Sequence, residues 1–256
     1  MATVLRNRFE QLTGKTLEEH RVAAIRDWMK KNASIQSELR VSDAELAAHR
    51  IGMNEFVMLK TQARFAQTLR CLKEWTGGKI SRSRVLDIGA SDALMLKLLG
   101  CPEGVGVDLR LFWGRRMLYK GMQGVIATAE ELPFRRGSFD YVLCFECLEH
   151  LENPIRALKQ MRRIARRGIA FSIPWVRQTR VRQDNYDDSR NLPEGHHVFE
   201  FDDEDLRKVA SHAGLRVVHH KAINIYALAS FGLDRMVRRR MNLMLPSWSL
   251  YYAEPD

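Results

Sequence analysis

The stretch Arg84–Gly100 reads RVLDIGASDALMLKLLG and combines three elements of a ligand-binding α/β unit. Val85–Ile88 is a short apolar strand that carries Asp87, and Gly89–Ala93 is a turn of small residues. Leu94–Leu99 then has the apolar composition of a buried helix. A strand, a small-residue turn and a helix start let backbone N–H groups approach a ligand closely. The stretch therefore predicts a ligand site at the start of a parallel sheet.

From this stretch to the end of the chain, strand and helix patterns alternate. Such alternation is typical of an α/β fold with a mostly parallel sheet and helices on both faces, although it would also suit a dehydrogenase-like sheet. We expect strands over residues 84–88, 104–108, 123–127, 139–145, 168–173, 215–224 and 248–253, and helices over residues 92–99, 111–121, 154–166, 202–213 and 229–244.

Residues 1–80 have the pattern of a helical extension that precedes a domain over residues 81–256. Thr16–Glu19 has the spacing of a capping box, and Ser42–Glu45 repeats it. An apolar stripe from Phe56 to Leu72 stops before Gly77–Gly78. This extension either packs on the main domain or forms a lid over its binding site, and the sequence does not separate the two.

Composition excludes several classes of protein. The chain of 256 residues is 45% hydrophobic and 28% charged, as in ordinary globular proteins. It has no apolar run long enough for a membrane span, and its N-terminus lacks a secretory signal. Four cysteines are too few for a disulfide framework, and Cys144 and Cys147 are interpreted as buried thiols. We expect a cytoplasmic protein.

The charge is strongly positive, with a net charge of +10 and a pI near 9.7. The arginines cluster in Arg177–Arg190 and in Arg235–Arg240, which favours an anionic partner over an evenly basic surface. The segment Leu228–Trp248 mixes four arginines with Met and Leu, so it suits either a helix covering the sheet edge or a peripheral contact with an anionic membrane. RNA is a further candidate, although no RNA-binding module is visible.

The second predicted strand ends in Asp108, which lies 21 positions after Asp87. An acidic residue at about this offset binds the ribose hydroxyls in nucleotide-binding βαβ units. The alternative is a carboxylate that only caps the next helix. The dinucleotide fingerprint needs a glycine where Ser91 stands, which disfavours a nicotinamide enzyme.

Together, these motifs resemble the class I S-adenosylmethionine (SAM) methyltransferases. Gly89, Ser91 and Ala93 occupy the glycine positions of the family's D-x-G-x-G-x-G motif. Ala127–Phe134 and Gly137–Leu143 are similar to its A-E-x-L-P-F and S-F-D-x-V segments. The resemblance implies SAM as cofactor and a seven-stranded Rossmann-like sheet with the terminal strand at an edge. The implied cofactor-binding residues are Asp87, Gly89, Ser91, Asp108, Leu109, Ala129, Glu130 and Phe145.

Two positions depart from the family pattern. Ser91 replaces a glycine, and Thr128 stands where the family commonly has the aspartate that contacts the adenine. Because of these two departures, a binding protein that retains the SAM fold without catalysis stays an alternative to an enzyme.

The segment after the fourth strand carries the candidate reaction chemistry. Glu146, Glu149 and His150 are spaced i, i+3 and i+4, so a helical turn would place them on one face. Two carboxylates and an imidazole suit a divalent ion such as Mg²⁺, Mn²⁺ or Zn²⁺.

This E-x-x-E-H pattern resembles both the O-methyltransferases of ubiquinone biosynthesis and the metal-dependent small-RNA 2′-O-methyltransferases. Within Gly195–Phe201, GHHVFEF, His197 matches a downstream histidine of the second group, with His196 beside it. That resemblance implies Glu146, Glu149, His150 and His197 as metal ligands. Without a metal, His150 or His197 is a candidate general base and Glu149 a helix cap; we take His150, His197 and Glu149 as the candidate catalytic residues.

The sequence therefore predicts a SAM-dependent methyltransferase that methylates a hydroxyl on a small-molecule, lipid-linked or glycan-linked acceptor. The alternatives are a metal-dependent RNA 2′-O-methyltransferase and a non-catalytic binding protein. A histidine and a glutamate at the mouth favour oxygen as the acceptor atom, because a protonated hydroxyl is a poor nucleophile and must lose its proton.

Overall fold

A computed structural model describes residues 55–101, 103–181, 197–223 and 248–256, together with isolated positions between 11 and 30. The chain divides into two compact units. One comprises Met1–Arg70 and Ile223–Ser247, and the other comprises Cys71–Ala222 and Trp248–Asp256. The expected domain boundary near residue 80 stays a prediction, as does the lid role of the N-terminal helices.

The first unit contains the predicted capping box. The Thr16 amide donates to the Glu19 carboxylate at 2.7 Å, and the Glu19 amide donates back to the Thr16 hydroxyl at 3.2 Å. Helix α1 (Glu55–Trp75) begins in this unit and ends in the second. Its predicted apolar stripe is confirmed, because Leu59, Ala63, Ala66, Leu69 and Leu72 are buried. The second capping pattern, Ser42–Glu45, and the predicted helix over 229–244 lie outside the described residues.

The second unit is an α/β sandwich around a seven-stranded sheet. Its order along the sheet is β3-β2-β1-β4-β5-β9-β8, and all pairs from β3 to β5 are parallel, whereas β9 runs antiparallel to β5. The elements in chain order are a 3-10 helix (Lys79–Arg82), β1 (Val85–Ile88), α2 (Leu94–Leu99), β2 (Val105–Asp108), α3 (Leu111–Tyr119), β3 (Gln123–Ile126), β4 (Phe139–Phe145), a second 3-10 helix (Leu148–His150), α4 (Pro154–Ile164), β5 (Ala165–Pro174), β6 (Arg180–Val181), β7 (Phe199–Glu200), α5 (Asp203–His212), β8 (Leu215–Ile223) and β9 (Trp248–Pro255).

The apolar core shows that the sheet is covered on both faces. Every residue of β1 is buried, although its side chains alternate between the two faces of the sheet. Helix α4 contributes Ala157, Leu158, Met161 and Ile164 to the main apolar cluster. The predicted fold class, a mostly parallel Rossmann-like sheet with helices, is confirmed.

The expectation that the terminal strand lies at an edge is wrong. Strand β9 lies between β5 and β8. The physical reason is its composition, since Trp248 to Ala253 are all buried and a strand that is apolar on both faces belongs inside a sheet. Strand β8 is buried only at its two ends, Leu215 and Ile223, and is exposed or half-buried between them, which suits the edge position that it takes.

Several element boundaries differ from the predicted ones. Helix α2 begins at Leu94 because Ser91 and Ala93 adopt left-handed backbone conformations that no helix includes. Helix α4 ends at Ile164, and β5 begins at the next residue, where Ala165 pairs with Phe139. The small β6–β7 sheet was not predicted.

Strand order reverses beside β1, and this positions the site. Strands β2 and β3 lie on one side of β1, whereas β4 and β5 lie on the other. The ends of the strands align, because Ile88 pairs with Val107 of β2 and with Cys144 of β4. In open α/β sheets, ligands bind in the crevice outside the carboxyl ends at such a reversal. The loops that follow β1, β2 and β4 therefore share one crevice.

A substitution at Gly168 would test how closely β5 packs against β9. A Cβ atom at this position would lie 2.2 Å from the Tyr252 hydroxyl oxygen and 2.4 Å from its ring carbon Cζ. We expect Gly168→Ala to lower the free energy of unfolding by about 1–3 kcal/mol, because overpacking a core forces side chains to shift. Denaturant unfolding measures this loss, and the double variant Gly168→Ala/Tyr252→Leu should recover part of it. An unchanged midpoint in Gly168→Ala would contradict this packing.

Candidate active site

The turn after β1 holds three alternate residues in left-handed conformations. Gly89, Ser91 and Ala93 have φ angles of 70°, 52° and 59°. Only glycine adopts this region without a steric cost. A Cβ at Gly89 would also lie 3.1 Å from the sulfur of Cys147. The backbone of this turn therefore has the shape of a three-glycine loop even where serine and alanine replace glycine.

Asp108 links this turn to β2. The Ser91 amide donates to one Asp108 carboxylate oxygen at 3.0 Å, and the Arg110 amide donates to the other at 3.1 Å. Burial raises the pKa of Asp108, and these backbone donors and the Arg110 charge oppose the rise. A carboxylate oxygen accepts two hydrogen bonds, so each oxygen retains capacity for a ribose hydroxyl.

Two further buried carboxyl groups lie in the same crevice. Burial, followed by the charges of Asp108 and Asp92, raises the pKa of Asp87 to about 8. Asp92 is fully buried and pairs with the Lys120 ammonium at 2.5 Å. The Asp92 carboxylate also accepts the Leu94 amide at 3.3 Å, at the start of α2. The crevice is therefore rich in carboxylates around the end of β1.

The loop between β3 and β4 is braced by two arginines of α4. The Arg163 guanidinium donates to the carbonyls of Phe134 at 2.6 Å and Leu132 at 3.0 Å. Arg156 donates to the Glu130 carbonyl at 3.1 Å and pairs with the Glu131 carboxylate. Sequence reasoning missed both arginines, because they lie about 30 positions after the loop that they hold.

The other predicted cofactor residues lie around the same crevice. Ala129 is buried, whereas Leu109 is exposed directly after Asp108. The Glu130 carboxylate accepts the Asn153 amide at 3.0 Å, which ties its loop to the start of α4. Phe145 is half-buried at the end of β4.

Glu149, His150 and His197 form the candidate reaction cluster. One ligand atom of each lies within 4.8 Å of the others. Glu149 is 1% exposed, and the two imidazole rings meet edge to face with centroids 5.0 Å apart. The Val198 amide donates to the Glu149 carbonyl at 2.7 Å, which fastens the β7 segment to the second 3-10 helix. Two imidazoles and a carboxylate are a donor set that suits Zn²⁺ or Mn²⁺.

Glu146, the fourth predicted metal ligand, lies apart from this group. It has a left-handed φ of 50°, so the chain does not turn helically from Glu146 to His150. Its carboxylate accepts the Ser172 hydroxyl at 2.9 Å, and its amide donates to the Ser172 carbonyl at 3.0 Å. These bonds direct Glu146 toward the end of β5.

Glu200 is a site residue that sequence reasoning missed. Its carboxylate, 4% exposed, lies 2.8 Å from Nδ1 of His197, and its other oxygen pairs with Arg180 across the β6–β7 sheet. A carboxylate on one ring nitrogen fixes the tautomer and the orientation of a histidine. The i, i+3 spacing of His197 and Glu200 was visible in the sequence, but only the turn before β7 shows that the side chains meet. His196 lies outside the described residues.

Cys144 and Cys147, both predicted to be buried thiols, are both free, but only Cys144 is buried. Cys144 is fully buried, and a hydrogen bond with Cys147 together with burial raises its pKa. Cys147 is half-buried against Gly89.

The family model of the methyltransferase domain matches residues 58–220, more than half of the chain. The chain belongs to this methyltransferase family. The predicted class I SAM-dependent superfamily is thereby confirmed, with SAM as the cofactor of this enzyme class. The Asp108 carboxylate and the glycine-like turn of the crevice fit a ligand that carries ribose hydroxyls.

One curated relative matches part of the chain. An uncharacterised protein of Methanocaldococcus jannaschii is 30% identical over 89 residues, which cover 35% of this chain. The methyltransferase spans 42% of the length of that curated relative.

Solved structures share the fold. A candidate sarcosine dimethylglycine methyltransferase of Galdieria sulphuraria aligns with a TM-score of 0.55 at 13% identity, covering 77% of this chain and 86% of that one. The PH0226 protein of Pyrococcus horikoshii gives 0.54 at 14% identity, with 80% and 93% covered. A chain of the Haloferax volcanii complex between the Trm112 methyltransferase activator and a candidate methyltransferase gives 0.51 at 14% identity, with 75% and 96% covered. At these identities the likeness concerns the fold alone.

Ser91 tests the strain in the cofactor turn. We expect Ser91→Gly to raise the free energy of unfolding of the methyltransferase by about 0.5–1 kcal/mol, because glycine adopts a φ of 52° without the cost of a Cβ. Ser91→Ala is the matched control, since it removes the hydroxyl and keeps the strain. Thermal unfolding measures both variants, and equal stabilities of Ser91→Gly and Ser91→Ala would show that the turn carries no strain there.

The arginine brace predicts an effect on cofactor affinity. Arg163→Gln removes the donors that hold the Leu132 and Phe134 carbonyls, so we expect S-adenosylhomocysteine to bind about three- to tenfold more weakly. Asp108→Ala should cost about 10- to 100-fold, because it deletes the predicted ribose acceptor.

Arg162→Gln is the matched control for this titration. Arg162 is the neighbour of Arg163 on α4 and donates to the carbonyl of Asp256 at the chain end. Calorimetric titration of the three variants should leave Arg162→Gln at the wild-type Kd. An Arg163→Gln protein that folds and binds like wild type would refute the brace.

Proposed function

We propose that the protein transfers the methyl group of SAM to a hydroxyl of a small-molecule, lipid-linked or glycan-linked acceptor, and that it acts in the cytoplasm. The observation that carries this proposal is the Glu149–His150–His197 cluster beside the carboxyl ends of β1 and β4. SAM supplies a methyl group activated on a sulfonium. The protein must then bind the acceptor, exclude water and accept the proton that the hydroxyl loses.

His197 is suited to accept this proton. Its Nδ1 faces the Glu200 carboxylate, so Nε2 is the basic nitrogen. An imidazolium formed at His197 would be stabilised by the Glu200 carboxylate, which Arg180 pairs with and orients. A hydroxyl has a far higher pKa than a thiol or an ammonium group and therefore depends most on such a base, which is why the cluster supports oxygen as the acceptor atom.

A divalent cation is the second way in which the same residues could serve a hydroxyl. Glu149, His150 and His197 would hold the ion, and Glu200 would orient His197 from behind. A bound cation lowers the pKa of an oxygen that it contacts. This arrangement also supports the alternative function, metal-dependent 2′-O-methylation of RNA.

The experiment is a transfer assay with radiolabelled SAM and a panel of hydroxyl acceptors that includes lipid extracts, glycans and small RNAs. We expect label in an ether linkage. His197→Ala should lower kcat by about 10²- to 10⁴-fold without changing S-adenosylhomocysteine affinity, because general-base catalysis contributes about that factor. His219→Ala is the control, because His219 is an exposed histidine that stacks on Trp75. Label in amines or thiols alone would refute O-methylation.

The cation is tested separately. If it is required, activity should vanish with chelator and return with Mn²⁺ or Zn²⁺, and Glu149→Gln should weaken the calorimetric binding of the ion. Activity that is indifferent to chelator leaves His197 as the base. A product that depends on an RNA 3′ end would promote the RNA alternative.

A further inference from the structure

Exposed apolar side chains are concentrated in one segment of the second unit. The described part of the chain exposes seven large apolar side chains, and six of them lie between residues 109 and 126. The most exposed is Tyr119, at 94%. The six are Leu109, Leu111, Phe112, Leu118, Tyr119 and Ile126. Exposed apolar residues that are grouped in this way mark an interaction surface, whereas scattered ones do not.

Helix α3 displays most of this group on a single face. Its inner side is occupied by Gly114, where a Cβ would meet Ile126, and by Met117, which lies against Gly106 and Gly124 of the sheet. At about 100° per residue, the exposed positions of α3 fall within an arc of about 120° on the opposite side. These positions are Leu111, Phe112, Arg115, Leu118 and Tyr119.

All charged side chains of this segment are positive. Residues 109–126 contain three arginines and one lysine and no aspartate or glutamate. Arg115 is exposed in the middle of the apolar face. The Arg116 guanidinium lies over the Phe112 and Trp113 rings, with distances of 5.7 and 5.6 Å to the ring centroids. Buried Asp92 offsets part of the charge of Arg116 and Lys120, so Arg115 is the main cation on the outer face.

We propose that this surface, the outer face of α3 with Leu109, docks onto an anionic membrane. Exposed leucine, phenylalanine and tyrosine side chains insert at the boundary between headgroups and acyl chains, and basic residues among them pair with acidic lipid headgroups. A protein partner would be expected to meet Arg115 with a carboxylate. Residues 109–126 contain no acidic side chain, so no charge in this segment would repel a uniformly negative surface.

This surface differs from the basic C-terminal segment considered from the sequence, which lies outside the described residues. The proposed docking surface begins at Leu109, directly after Asp108, the predicted ribose partner. Docking would therefore hold the rim of the cofactor crevice close to the bilayer. It requires neither a known acceptor nor catalysis, so it stands independently of the proposed O-methylation.

Flotation of the full-length protein with lipid vesicles tests the proposal. We expect binding to phosphatidylcholine vesicles that contain phosphatidylglycerol, and binding at least tenfold weaker to phosphatidylcholine alone. Arg115→Glu should weaken binding by about tenfold or more, since each basic residue at an anionic surface contributes about a fivefold factor. Tyr119→Ser should weaken it about fivefold, and it lies at the end of α3, where it leaves the core intact.

Two matched controls isolate the surface from general effects. Val181 is the seventh exposed apolar side chain, at 58%, so Val181→Ser removes a similar side chain elsewhere. Arg136→Glu makes the same charge change at an exposed loop position. Both should bind vesicles as wild type does, and all variants should keep the wild-type melting temperature and S-adenosylhomocysteine affinity.

Three results would overturn the proposal. The first is wild-type protein that does not float with anionic vesicles. The second is vesicle binding that Arg115→Glu and Tyr119→Ser leave unchanged, which would place the contact elsewhere. The third is self-association in sedimentation experiments that Tyr119→Ser abolishes, which would assign the surface to a second copy of the chain.

Discussion

The hydrogen bond from the Ser91 amide to the Asp108 carboxylate is the interaction on which the cofactor crevice depends. It joins the turn after β1 to the end of β2, and it forms only because the turn holds left-handed residues that point the amide toward β2. The same carboxylate accepts the Arg110 amide, so it also shapes the chain as it leaves β2 for α3. One side chain thus sets two loops of the crevice.

The crevice also has to accommodate several acidic side chains that are buried close together. Asp87, Asp92 and Asp108 lie near one another at the carboxyl ends of β1 and β2, and the protein manages their repulsion in three ways. The pKa of Asp87 is raised to about 8, which favours its neutral form, Asp92 is paired with Lys120, and Asp108 is held by amides. The negative charge that these groups leave at the crevice lies chiefly on Asp108, and it would attract a cationic ligand such as SAM more strongly in a site of low dielectric.

The reaction cluster is assembled in a different manner, from segments far apart in the chain. Glu149 and His150 follow β4, whereas His197 precedes β7 and is held by Glu200 and by the bond from Val198 to Glu149. The small β6–β7 sheet supplies this support, because Arg180 on one strand pairs with Glu200 on the other. The chemistry of the cluster therefore depends on a minor sheet outside the main one.

Sequence patterns determined the architecture of the described α/β unit because alternation of apolar strands and amphipathic helices is a local property. They also located the cofactor turn, since Gly89 and the small residues after it are adjacent in the chain. The Thr16–Glu19 capping box and the stripe of α1 followed for the same reason.

Contacts between segments far apart in the chain could not be predicted from these local sequence patterns. The interior position of β9, the separation of Glu146 from the reaction cluster and the contact of Glu200 with His197 were decided by tertiary structure. Strand order depends on which faces must be buried against which helices, and side-chain direction at Glu146 depends on a single left-handed φ angle. Local propensity carries neither quantity, because both arise from packing between segments that the sequence keeps far apart.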